Sequence, residues 1–201
     1  MTTALIVIDV QESFRVRPLW RAIDNPDLVQ HVNRLVDASR GAGDAVVWVL
    51  HSEPGTGNPF DPASGHVRLL DGVRPPAPGE PILLKTSHNA FTTTNLQQWL
   101  TEKGVRRIVV CGIRTEQCVE TTARVGSDLG FEVVFVTDAT ATNPIAHPDA
   151  PADQTVEELV ADPRTLSAAD VRERTERVLA GRFASIRTVD DLAGHAMMTG
   201  S

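Results

Sequence analysis

Residues 4–10 read ALIVIDV, an almost unbroken apolar run. A strand with one face in water alternates apolar and polar side chains, so a run of this kind belongs in a parallel sheet covered on both faces. The theme repeats at Ala45–Leu50 (AVVWVL), Pro81–Lys85 (PILLK), Arg107–Cys111 (RIVVC), Glu132–Val136 (EVVFV) and Phe183–Val189. Helical periodicity fills the gaps. Asn25-Pro26-Asp27 opens a helix, with Asn25 expected as its cap; Leu28, Val32, Leu35 and Val36 share one face, and Gly41 and Gly43 close it. Further helices are expected over Thr94–Glu102, Gln117–Leu129 and Ala168–Ala180, the last capped by Ser167, with a short one around Thr155–Ala161. Alternating strand and helix predict an α/β fold: a three-layer α/β/α arrangement around a mainly parallel, six-stranded sheet. The pattern leaves the strand order open.

A length of 201 residues suits one domain spanning 1–201. The net charge of −7 argues against a nucleic-acid partner, which calls for clustered Lys and Arg. No apolar run approaches the roughly 20 residues of a membrane span. The start, MTTALIVIDV, lacks a basic leader and a small-residue cleavage site. The two cysteines, Cys111 and Cys118, read as free thiols in a reducing, cytoplasmic setting, with Cys111 a structural residue in mid-strand. Residues 52–81 are rich in Pro and Gly and form a long ordered loop, a feature that is usually functional. Residues 143–166 are a lid, an oligomer contact or a surface insertion, and the insertion is the favoured reading. Met197–Ser201 are expected to fray.

Ligands of open α/β sheets bind at the carboxyl ends of the strands. Asp9 lies at the end of the first strand, Lys85 ends the third, and Cys118 follows the fourth at the start of a helix. Singly, each has a bland reading: a loop carboxylate, a solvated lysine, a small buried hydrophobe. Together they make a nucleophilic site. The thiolate is the reactive form of cysteine. A helix N-terminus, with Thr115 as cap, and a nearby Lys85 ammonium would both lower the pKa of Cys118. Asp9 can take the thiol proton and return it to a leaving amine, while backbone N–H groups over 113–118 stabilise an oxyanion. Gln11, Phe14, His51 and Phe91 are candidate pocket residues; buried contacts and core packing are their alternatives. His88 and Asn89 either touch the ligand or cap the next helix. Arg114 holds a substrate carboxylate or points to solvent.

The segments IVIDVQESF, LLKTSHNAFTTTNL and VVCGIRTEQCVETTARVGSDLGFEVVFVTDATAT resemble the isochorismatase-like cysteine hydrolases. That superfamily includes nicotinamidase, N-carbamoylsarcosine amidase, ureidoacrylate and biuret amidohydrolases, and isochorismatase. The resemblance implies a Rossmann-like doubly wound sheet and an Asp-Lys-Cys triad at Asp9, Lys85 and Cys118. It also implies a cis peptide between Ile113 and Arg114, which brings the N–H groups of Arg114 and Cys118 to one oxyanion. The expected partner is a small-molecule substrate, and a homo-oligomer, dimer or tetramer, is implied.

The sequence departs from the nicotinamidase type after the second strand. There HSEPGTGNPF supplies His51, and His66 follows, but no Asp-x-His triplet that would bind a metal is present. Neither a metal nor another cofactor is expected, since G-x-G-x-x-G, G-x-x-x-x-G-K-[ST], H-E-x-x-H and C-x-x-C motifs are all missing. The presence of Cys118 favours hydrolysis of a C–N bond in a small amide, ureido or carbamoyl compound. The rivals are an enol-ether hydrolase using Asp9 as acid, and a non-catalytic thiol or interaction protein on the same fold.

Overall fold

The computed structural model describes residues 2–196, so the expectation for Met197–Ser201 falls outside it. Six strands form one sheet: β1 (Thr3–Ile8), β2 (Ala45–His51), β3 (Ile82–Lys85), β4 (Arg107–Ile113), β5 (Glu132–Ala141) and β6 (Ser185–Arg187). Their order is β3-β2-β1-β4-β5-β6 and every pairing is parallel. This is the doubly wound arrangement, with the chain reversing direction between β1 and β4.

The period-two geometry of strands explains the continuous apolar runs. Ala4, Ile6 and Ile8 face one layer while Leu5 and Val7 face the other, and both sets are fully buried. On the first face pack Leu96 and Leu100 of α3 (Leu96–Glu102) and Ala123 of α4 (Glu120–Asp128). On the second lies α2 (Leu28–Gly41) with Leu28, Val32, Leu35 and Val36 inward, as the sequence periodicity predicts. Each such side chain contributes roughly 1.5–3 kcal/mol by leaving water. α1 (Glu12–Arg15), α5 (Val156–Ala161), α6 (Ala168–Leu179) and α7 (Val189–Ala196) complete the layers. Ser167 caps α6 as expected, accepting from the amide of Asp170.

Several local expectations are corrected. Asn25 does not cap α2; its amide donates to the carbonyls of Asp138 and Thr140, clamping that helix's entry to β5. β1 stops at Ile8, because Asp9 turns into the left-handed region at φ 54°. β5 runs to Ala141 instead of ending at Val136. While β4 advances from Val110 to Gly112, β5 advances from Phe135 to Thr140, so a bulge carries the strand past the apolar run that signals it. β6 is shorter than expected because Val189 already begins α7. Thr188 and Asp191 cap that helix reciprocally, a T-x-x-D signal legible at 188–191.

Gly112 sits at φ 127° against Ile8, directly across from the end of β1. A Cβ there would lie 1.8 Å from the carbonyl oxygen of Ile8. Gly112→Ala is therefore expected to force β1 and β4 apart next to Asp9, destabilising the fold by on the order of 3 kcal/mol or more. Thermal unfolding of the purified variant checks this, and a melting temperature within a degree of wild type would contradict it.

Candidate active site

Three loop-facing strand ends and one helical turn meet at the carboxyl edge of the sheet. Lys85 closes β3, paired in register with His51 of β2. Asp9 follows β1, its amide still donating to the carbonyl of Val49 at 2.8 Å while its left-handed backbone swings the side chain out of the strand's alternation. Cys118 lies in a π-helical turn, Thr115–Val119, that leads from β4 into α4. The Ile113–Arg114 peptide that precedes this turn is cis.

The structure brings Asp9, Lys85 and Cys118 together. Lys85 Nζ is 2.7 Å from Asp9 Oδ2 and 3.4 Å from Cys118 Sγ. Asp9 and Lys85 have no solvent exposure at all, and Cys118 is 6% exposed. Nζ also donates to the carbonyl of Ser87 at 3.1 Å and lies 3.2 Å from His51 Nδ1. An ammonium has three protons and here has four neighbours. Among the described residues, no backbone amide or hydroxyl donates to either Asp9 carboxylate oxygen. Its charge is balanced chiefly by Lys85, with the Cys118 thiol and the His51 ring as further polar neighbours.

That isolation sets the proton affinities. Burial pushes the Asp9 carboxyl above the ordinary range, opposed by the Lys85 ammonium. Burial and the negative charge of Asp9 push the Cys118 thiol up to about 12, also against Lys85. The expectation of a lowered thiol pKa is thus overturned: helix placement and one cation do not outweigh desolvation beside a carboxylate. Thr115 does not cap the turn either. Its hydroxyl donates to Thr140 Oγ1 at 2.9 Å, tying the turn to the bulged end of β5. Cys111 is buried, free and likewise pushed to about 12 by desolvation, as suits a structural thiol.

The other singled-out residues divide. His51 faces Lys85 through Nδ1, while Nε2 meets Glu53 Oε1 at 3.0 Å. Gln11 is fully buried and engaged: its Nε2 donates to Ser13 Oγ and the carbonyl of His51, and its Oε1 accepts from the His51 amide. Phe14 packs edge-on to Phe60 at 5.0 Å. Phe91 is stacked with Phe131 at 6.1 Å within the first core layer. Asn89 organises the turn after β3, accepting from the amides of Phe91 and Thr92. Sequence reasoning missed Thr122, whose hydroxyl donates to the carbonyl of Cys118 at 2.6 Å and accepts from the amide of Ala90. It sits four residues after Cys118, one helical turn on, and that spacing was the available signal.

A metal of the Asp-x-His kind does not fit these residues. His51 has an ammonium against one ring nitrogen and a carboxylate on the other, and His66 contributes its backbone carbonyl to Ser13. Among the described residues, no cluster of three His, Cys, Asp or Glu side chains has metal-holding geometry. No helix among them is long and apolar enough to cross a membrane.

A cleft of about 600 Å³ opens beside the Cys118 turn, touching Arg114 and Gln117. Residues 144–159 build much of its wall, so the reading of 143–166 as a plain surface insertion is revised. The Ile145–Leu166 bridge joins the two ends of the segment, and Asn143, donating to the carbonyl of Leu19 at 2.7 Å, and the Arg21–Glu157 ion pair fasten it to the rest of the chain. Neither Asp9, Lys85 and Cys118 nor Gln11, Phe14, His51 and Phe91 line this cleft.

A doubly wound parallel sheet gathering a cysteine, a carboxylate and an ammonium at its carboxyl edge has the layout of a nucleophilic hydrolase. The chain belongs to the isochorismatase family: the sequence pattern of the isochorismatase domain matches residues 3–165. It is an isochorismatase-family hydrolase. Streptothricin hydrolase of Streptomyces noursei is 37% identical over 150 residues, covering 74% of this chain and 57% of that protein. Nicotinamidase 3 of Arabidopsis thaliana is 33% identical over 156 residues, covering 69% of this chain and 73% of the other. An isochorismatase-family structure from Chromobacterium violaceum superposes with a TM-score of 0.84 at 23% identity, over 98% of this chain and 94% of that one, a likeness of fold.

A thiol held near 12 has little thiolate at neutral pH, and its thiolate fraction climbs about tenfold per pH unit up to that value. Iodoacetamide should therefore modify Cys118 in the resting protein more slowly at pH 7.5 than it modifies free cysteine, whose pKa is about 8.5. The rate should still be rising at pH 10. Asp9→Asn removes the charge that opposes thiolate formation and should speed alkylation at pH 8, whereas Lys85→Met should slow it. Mass spectrometry of the Cys118 peptide over time measures all three. A plateau below pH 8 in the wild type would contradict the geometry.

Proposed function

We propose that this chain is a cysteine amidohydrolase that cleaves a C–N bond of a small amide, ureido or carbamoyl substrate through a thioester on Cys118. One observation carries the reading: the sulfur of Cys118 lies 3.4 Å from the ammonium of Lys85, which is 2.7 Å from the carboxylate of Asp9, with both charged groups fully buried and the thiol 6% exposed. The amidase named among its relatives supports the choice of C–N over ether chemistry.

Asp9 is the base. Its raised proton affinity makes it better able to take the thiol proton than an exposed carboxylate would be. The thiol stays protonated until a substrate carbonyl reaches it. Proton transfer to Asp9 then accompanies attack of sulfur on the carbonyl carbon. Charge gathers on the carbonyl oxygen, where the backbone amides of Arg114 and Cys118 are the proposed donors. Lys85 offsets the negative charge that moves between carboxylate and sulfur. Collapse breaks the C–N bond, Asp9 protonates the departing nitrogen, and the acyl group remains as a thioester. Water, deprotonated by Asp9, releases the acid and restores the thiol.

The test is ammonia release from a panel of small amides and ureides by wild type, Cys118→Ala, Asp9→Asn and the double variant. Each single variant should lose at least about a thousandfold in turnover, and the double variant should be little worse than either, since the two residues act as one unit. Turnover by Cys118→Ala near the wild-type rate, with Asp9→Asn inactive, would discard the thioester and leave Asp9 acting as an acid on an ether. Chelation by EDTA should leave the activity unchanged, and a loss restored by zinc, iron or manganese would contradict this.

A further inference from the structure

The cleft beside the nucleophile is electrically one-sided. Its wall is largely apolar, with Leu19, Ile145 and Val156 among its lining, yet two guanidinium side chains, Arg17 and Arg114, enter it. No Asp or Glu lines it, in a chain whose net charge is −7. Among the described residues, neither arginine has a carboxylate within ion-pair distance. Arg21, near the same wall, is by contrast paired with Glu157 at 3.0 Å.

Arg114 is the more enclosed of the two. Its Nε is sealed from solvent without an acceptor. Desolvation disfavours its charge, Glu116 partly offsets that, and Arg17 adds repulsion. Glu116 does not close an ion pair with it: one of its oxygens accepts from the Thr142 hydroxyl at 2.6 Å, and the other is buried without a partner. Arg17 is held in place from behind, its guanidinium 5.9 Å from the centre of the Phe60 ring. Two mutually repelling cations in a mostly apolar cleft make a site complementary to an anion.

We propose that Arg114 and Arg17 bind an anionic group of the substrate, a carboxylate a few bonds from the scissile C–N bond, and so determine specificity. The inference rests on the amidohydrolase reading and narrows it to amides or ureides of small acids. Arg114 is four residues before Cys118 at the entry to the same turn, and Gln117, the neighbour of Cys118, also lines the cleft, so a carboxylate held there would sit beside the turn that carries the sulfur. The planar fork of a guanidinium suits a carboxylate, and the mostly apolar wall strengthens the contact by excluding water.

Binding to Cys118→Ala, which does no chemistry, separates this inference from the question of turnover. Succinamate and the neutral butyramide, of equal chain length, are titrated by calorimetry, with 3-phosphonopropanamide to tell a carboxylate site from a phosphate site. Succinamate should bind roughly ten- to a hundredfold more tightly than butyramide, and the phosphonate no better than succinamate. Arg114→Gln and Arg17→Gln, each in the Cys118→Ala background, should shrink that preference, as should added salt. Arg17→Gln carries the test alone if Arg114→Gln does not fold. Equal affinity for charged and neutral probes overturns the inference. So does a charge preference that survives both substitutions, a preference for the phosphonate, or failure of every amide acid from three to six carbons to bind.

Discussion

The ion pair between Lys85 and Asp9 is the contact on which the rest of the site depends. Both groups are completely enclosed. Withdrawing two charges from water is expensive, and their attraction offsets this only where geometry is tight and further polar partners are present. Here those partners come from everywhere at once. The carbonyl of Ser87, the ring of His51 and the sulfur of Cys118 all surround the same ammonium. Glu53 fixes the ring of His51 and is itself held by the amide of Asn58 at 2.6 Å. The ordered loop after β2 therefore reaches the site through this relay and through Phe60, whose ring packs on His51 and Phe14.

A site built this way controls reactivity by keeping the thiol quiet. The same enclosure that raises the proton affinity of Asp9 also raises that of Cys118, so neither group is activated at rest. In the mechanism proposed above the pair supplies proximity: the acceptor for the thiol proton is already in place, beside the Lys85 ammonium. A nucleophile that is poised but protonated is also shielded from oxidation and chance electrophiles, which attack the thiolate.

Much of this was legible in the sequence. Continuous apolar strands gave the parallel sheet, and the rule that ligands gather at strand carboxyl ends picked out Asp9, Lys85 and Cys118 before any geometry was known. What escaped depends on contacts distant in sequence. The bulge of β5 has no apolar signature, yet it places Thr140 under the nucleophile's turn. Asn25 looks like a cap because of the Pro and Asp that follow it, but the nearby carbonyls of Asp138 and Thr140 compete for its amide and win. The direction of the thiol shift was misjudged because charges can be counted from residue types, whereas desolvation requires knowing that the whole cluster is sealed. Gln11 and Phe91 lie close in sequence to Asp9 and Lys85, and their contacts with Ser13 and His51 and with Phe131 could not be read from that proximity.

The segment 143–166 supplies much of the cleft wall without contributing to the sheet or to the cluster of Asp9, Lys85 and Cys118. Much of the cleft wall thus lies on a stretch of chain separate from Asp9, Lys85 and Cys118. Substitutions along this wall can reshape the cleft while leaving the buried charges undisturbed, so under the proposed function new substrate ranges would be reachable by gradual drift or by a loop graft.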